Sequence, residues 1–201
     1  MNRAWIVVLA LFAAAAGAQE RDPPNGVLLV ARSGLEDPNF RESVVLVSQT
    51  RDSQTVGVIL NRPTRRTHET TGERIYFGGP VMTEVTVALF RSRQAPAASA
   101  FHVLRNVYLT MHPANIESLL ARTGEGHRLF AGFAGWSPGQ LESEIERGDW
   151  MVVPASDEIV FREETAGLWL ELWQKAYGKR ANYSTTDVAF RRALAGSQMS
   201  E

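Results

Sequence analysis

Arg128-Leu-Phe-Ala-Gly-Phe-Ala-Gly-Trp-Ser-Pro-Gly-Gln-Leu-Glu-Ser-Glu-Ile-Glu-Arg-Gly-Asp-Trp-Met-Val-Val-Pro154 reads as strand, tight turn, short helix and strand. Leu129 to Ala134 is a small, apolar run carrying a glycine, short enough for a buried strand. Ser137 stands where an N-cap belongs, Pro138 occupies the first helical position, where no donor is needed, and Gln140 completes a capping box. Leu141 and Ile145, four apart, share one helix face. Glu142 and Glu146 sit together on another, and Glu144 is expected to face away. Gly148 stops the helix, and Trp150, Val152 and Val153 begin a new apolar strand.

Outward from this stretch the chain alternates short β-branched runs with turns. Gly26 to Ala31 reads as a buried strand, and Ser43–Ser48 and Thr55–Leu60 as a hairpin. Between the first two runs lies a long turn started by Asp37-Pro38, with Phe40 as its one large apolar anchor. Thr64 to Arg74 is polar and charged and is expected to be a surface loop. Ile75–Val81 and Val85–Phe90 read as strands, and Phe101–Leu109 as a strand pair or one strand bent at Arg105-Asn106. Pro113 opens a helix running through Ile116, Leu119 and Leu120, which Gly124 closes. Ala155 to Phe161 is a turn with an apolar patch. Leu168, Trp169, Leu172, Trp173 and Ala176 form the clearest amphipathic stripe, stopped by Gly178. Strands outnumber helices and the helices interrupt them irregularly, which predicts an α+β fold on a mixed or antiparallel sheet.

Four segments in this order resemble the YqgE/AlgH proteins: D-P-N-F-R-E-S-V-V from Asp37, G-V-I-L-N-R-P from Gly57, F-G-G-P-V from Phe77, and G-F-A-G-W-S-P-G-Q-L-E-S-E from Gly132. The resemblance covers residues 26–178. It implies a sheet that splits or curls into a small barrel, surrounded by helices. For AlgH-like proteins it also implies transcriptional regulation, but this chain has no helix-turn-helix signal and no basic stripe.

The 201 residues carry 21 basic against 22 acidic side chains, a formal charge of −1 with 44% apolar residues. That suits a globular domain with no global attraction for nucleic acid or anionic lipid. Residues 1–18 read as a signal peptide: Arg3, an uncharged apolar run from Trp5 to Ala16, then Ala16-Gly17-Ala18 before Gln19. The run falls short of the roughly 20 residues of a membrane anchor. The expected product is residues 19–201 in the periplasm, with one domain over 19–178 and a polar tail over 179–201. The alternative is a cytoplasmic protein whose start codon lies elsewhere. The chain has no cysteine, which removes disulfides, thiolate chemistry and lipid-modified cysteine.

A non-enzymatic binding or regulatory protein is expected, the alternative being an enzyme with an unrecognised site near Arg62, Trp136 and the acidic helix. Gly135-Trp136-Ser137-Pro138-Gly139 fits G-x-S-x-G in its letters, but its serine is read as a helix cap; there is no phosphate-cradling glycine loop, and Pro80 removes a donor from the Gly78-Gly79-Pro80 cluster. A sharp bend beside a close-packed neighbour is the preferred reading of that cluster. His68, His102, His112 and His127 have no i, i+4 pairing, so neither metal nor cofactor is expected, and His112 before Pro113 reads as a helix start. The acidic side chains of the central helix read as solubilising groups that complement its dipole. The remaining candidates are Asn61 and Arg62 at a strand end, Gly78 and Gly79 at the bend, and Gly135 and Trp136 at the turn. If these meet, Arg62 offers a fixed donor fork, Trp136 an apolar wall and the glycines close backbone approach. The expected partner is a small carboxylate-bearing ligand or an acidic peptide, with nucleic acid disfavoured. For Trp136 the competing reading is core packing, and for Arg62 a salt bridge to Glu36, Asp37 or Glu69.

Overall fold

A computed structural model describes residues 24–50, 54–122 and 126–178. The expected signal peptide, the polar tail and Gly124 lie outside these residues. The elements are β1 (Val27–Ala31), β2 (Val44–Gln49), β3 (Thr55–Ile59), β4 (Pro63–Thr67), β5 (Arg74–Phe77), β6 (Val81–Arg91), β7 (Phe101–Leu104) and β8 (Val107–Thr110). They continue with α1 (Pro113–Leu120), β9 (His127–Trp136), α2 (Gln140–Glu146), β10 (Trp150–Pro154), α3 (Asp157–Val160) and α4 (Leu168–Gly178).

The main ladder runs β10-β1-β2-β3-β9-β6-β8-β7, with β4 and β5 attached beside β9. All pairings are antiparallel except β5 with β9. This is the expected α+β class, but the sheet does not close into a barrel. The outermost strands β10 and β7 do not pair, and the curl brings one end only as far as a backbone bond from Gly26 N to the Val103 carbonyl.

The sheet splits at β9. Leu129–Ala131 run alongside β5, whereas Ala134–Trp136 pair with β3. The switch occurs at Gly132, whose φ of +70° is readily adopted only by glycine. Side-chain alternation then sorts the core. Leu28, Val30, Leu46 and Val58 from one half pack with Tyr76, Leu89, Leu109 and Phe130 from the other, closed by Val160, Leu168 and Leu172. Leu29, Val45, Val47 and Ile59 turn the opposite way and pack with Leu141 of α2. Ile75, Ala88, Leu129 and Ala131 pack under Ile116, Leu119 and Leu120 of α1.

Three local expectations are corrected. The region 64–74 is not wholly a loop: Pro63 pairs with Tyr76 and Thr67 with Arg74, and Thr64 Oγ1 donates to the Ile75 carbonyl at 2.6 Å. β4 has no buried side chain, so it lacks the alternation that would reveal it. Residues 155–161 contain α3, on which Ser156 is the N-cap. In α2, Ser137 is not the N-cap. That position belongs to Gly139 at φ +78°, with no side-chain cap bond. Only the reverse half of a capping box survives, Gln140 Oε1 accepting from Ser137 N at 3.2 Å. A turn through Gly139, which as glycine tolerates the left-handed conformation, delays the helix by two residues.

Candidate functional site

The N-R-P segment, the G-G-P bend and the glycine-rich part of β9 are backbone neighbours. Phe77 N donates to the Arg62 carbonyl at 2.8 Å, Ile59 N to the Gly78 carbonyl at 2.9 Å and Gly78 N to the Ala131 carbonyl at 2.9 Å. A Cβ on Gly78 would lie 2.1 Å from the Gly132 oxygen, and one on Gly79 2.3 Å from the Phe133 carbonyl. Both glycines are buried. Their closeness is to β9, at the seam where the two halves of the sheet part.

Asn61 works on the turn before β2. Its Oδ1 accepts from Val44 N at 2.9 Å and its Nδ2 donates to the Glu42 carbonyl at 2.9 Å. The half-buried Arg62 donates to the Arg41 carbonyl of the same turn; among the described residues it has no carboxylate partner, so the competing reading of a salt bridge to Glu36, Asp37 or Glu69 is not met. Asp37 begins the turn by accepting from Asn39, Phe40 and Arg41. Glu42 adopts φ +53° and Met82, just past the G-G-P bend, φ +47°. For side-chain-bearing residues such backbone costs on the order of 1 kcal/mol each and requires the surroundings to hold it.

The backbone of Trp136 enters from the other end of β3, and its side chain reaches back to the 37–43 turn. Trp136 pairs with Thr55 at the start of β3, whereas Arg62 lies beyond the end of that strand. Gly135 beside it is exposed, but the Trp136 side chain turns inward and the residue is 5% exposed. Its ring packs 5.9 Å from Phe40 and 6.1 Å from Trp150. Core packing is therefore the reading the geometry supports for the indole. Its N–H donates to Glu144 Oε2 at 2.9 Å; Trp150 donates to the same oxygen at 2.8 Å, and Gln140 Nε2 to Oε1 at 3.0 Å. Glu144, expected to face away, is the residue on which this cluster closes. It lies three positions from Leu141, about 60° round the helix from it, so it borders the apolar face. That spacing was the signal available in the sequence.

A second residue escaped the sequence reading. Arg128 lies in line with Phe130 on the inward face of β9 and is buried. Its guanidinium donates to the Val160 carbonyl at 2.8 Å and the Leu60 carbonyl at 2.7 Å, and lies 4.1 Å from the centre of the Tyr76 ring. Burial pushes its pKa below the ordinary arginine value, while Tyr76 opposes the shift. It thus ties β9 to α3 and to the end of β3.

The histidines are dispersed. His112 caps α1 by accepting from Ala114 N at 3.2 Å, His127 meets Glu73 at 2.8 Å, His102 stacks on Tyr108 and His68 lies by Thr71. Among the described residues no three metal-ligating side chains gather, and no helix is long and apolar enough to cross a membrane.

The AlgH-like family model matches residues 28–181. The chain belongs to the AlgH-like family. It is 36% identical over 183 residues to a UPF0301 protein of Thermobifida fusca, covering 80% of this chain and 90% of that one. A UPF0301 protein of Mycobacteroides abscessus is 32% identical over 163 residues, covering 75% and 78%. Among solved structures, a Corynebacterium diphtheriae protein superposes with TM-score 0.63 at 28% identity, over 79% of this chain and 90% of its own. The solution structure of AlgH from Pseudomonas aeruginosa gives TM-score 0.65 at 24% identity, over 79% and 93%, a likeness of fold. No activity accompanies the names of these relatives.

Proposed function

We propose that this AlgH-like protein is a non-enzymatic binding protein of the periplasm, released by removal of residues 1–18, and that it meets its ligand at the Arg62 end of β3. One observation carries the reading. Arg62, the turn at Arg41 and the β4–β5 hairpin join at one end of the sheet, and among the described residues Arg41, Arg62, Arg65, Arg66 and Arg74 form no ion pair. Guanidiniums held on a rigid frame without internal carboxylates suit a carboxylate from outside, which they accept in a bidentate fork. The Trp136 side has already matched its donors to Glu144, so it offers a ligand less.

Correlation spectra of ¹⁵N-labelled protein titrated with glutarate test the reading. Shift changes should gather at residues 41–43, 61–66 and 74–82. Changes centred on Trp136, Trp150 and α2, or none anywhere, overturn it. The export reading is tested by N-terminal sequencing of the native protein, which should begin at Gln19; a cytosolic product beginning at Met1 contradicts it.

A further inference from the structure

We infer that the partner at this end is an extended acidic polypeptide segment laid along β4, of which a small carboxylate such as glutarate imitates a single side chain. This rests on the binding-protein reading and narrows it. Arg65 and Arg66 stand exposed on β4 and Arg74 exposed on β5, with Arg62 one residue before β4. Across residues 62–74 four arginines face two glutamates, Glu69 and Glu73, and Glu73 already meets His127 at 2.8 Å. The five residues of β4 extend about 16 Å at ~3.3 Å each. Cations spread over that length match successive acidic side chains, not one carboxylate.

Among the described residues β4 pairs only with β5, so its outer edge is open. Open edges take extended chains. Here the register breaks between Pro63 and Thr67, and Arg66 N is taken by Thr64 Oγ1 at 3.0 Å. A full added ladder is therefore interrupted, and the guanidinium forks carry the recognition. Pro63, on β4 itself, is exposed, and Pro80 and Met82 at 52% are exposed beyond the end of β5. These apolar groups would serve a polypeptide with mixed side chains. A phosphodiester chain needs unbroken cations, and Glu69 interrupts them.

The test is fluorescence anisotropy with a labelled peptide of alternating glutamate and valine, against full-length mature protein at low salt. The triple variant Arg65→Ser, Arg66→Ser, Arg74→Ser should lose about tenfold in affinity, which is about 1.4 kcal/mol or about 0.5 kcal/mol for each exposed charge. The control Arg105→Ser removes an exposed arginine from the β7–β8 turn, separated from β5 by β9, β6 and β8, and should bind as the parent does. Equal binding by the triple variant, or no peptide binding at all, overturns the inference. Tighter binding of a single-stranded oligothymidine overturns it in favour of nucleic acid. Should glutarate bind at Arg62 and compete with the peptide at equal carboxylate concentration, and the triple variant bind both as the parent does, the extended-segment inference fails while the binding-protein reading stands. Unfolding midpoints of all variants exclude loss of fold as the cause.

Discussion

The two sides of the 37–43 turn treat their polar groups in opposite ways. On one side, where Phe40 packs against Trp136 and Trp150, two indole N–H groups and an amide converge on Glu144. Those donors find their acceptor within the protein, and two of the three aromatic rings, those of Trp136 and Trp150, are buried. On the other, where the Arg41 carbonyl accepts from Arg62, Arg62 and the β4–β5 hairpin hold arginines that among the described residues have no carboxylate partner, on backbone fixed by Asn61 and by the glycine seam. The first region spends its chemistry on the fold, and the second leaves its chemistry available. Both carry motif residues, so a motif alone does not distinguish framework from working surface.

The largest expected effect breaks the seam. Gly78→Ala places a methyl against the Gly132 carbonyl, where backbone and not a flexible side chain must move, and should destabilise by about 3 kcal/mol. Urea unfolding measures it, and a loss below about 1 kcal/mol would show that the seam yields. Next comes Glu144→Ala, which strips two buried indole donors of their acceptor and should cost about 2 kcal/mol. Glu144→Gln keeps an acceptor oxygen and should cost clearly less; equal losses would show that packing, not the hydrogen bonds, matters there.

Smaller effects sharpen the contrast. Glu171 accepts from Arg162 and Lys175, each at 2.6 Å, and these bonds lower its pKa from 4.5 to about 2. A depressed carboxylate stabilises the fold above its unfolded pKa and loses that contribution as pH falls towards 2. The pair is partly exposed, so Glu171→Gln should cost under about 1 kcal/mol at neutral pH, and the difference from parent should vanish near pH 2. A difference that persists there contradicts the ion-pair origin. Ser137→Ala should be nearly silent, within about 0.5 kcal/mol, because Gly139 is the N-cap; a loss of about 1 kcal/mol would restore Ser137 as a cap.

Much of the fold was legible because short continuous apolar runs between glycine, proline and polar turns mark strands buried on both faces. Leu28 to Ala31, Val44 to Ser48 and Val56 to Ile59 carry that mark, and the stripe of Leu168, Leu172 and Ala176 marks α4. β4 was not legible, because an edge strand with both faces wet leaves no pattern. Nor was the split at Gly132, since sequence gives a glycine's freedom but not the partner whose closeness demands it. In the candidate site, Trp136, Asn61 and Arg62 were visible by residue type. What their side chains meet depends on long-range register. Glu144 faces Trp150 because α2 packs across the sheet, and Asn61 reaches Val44 because β2 and β3 pair.

The central claim is that the Arg62 side is a working surface and the Trp136 side is framework. Arg62→Ala, examined for acidic-peptide affinity and urea midpoint on the same preparation, tests it most directly. Affinity should fall several-fold while stability changes by less than about 1 kcal/mol, the worth of one exposed hydrogen bond to the Arg41 carbonyl. Unchanged affinity, or a stability loss as large as that of Glu144→Ala, would contradict the claim and make Arg62 a framework residue.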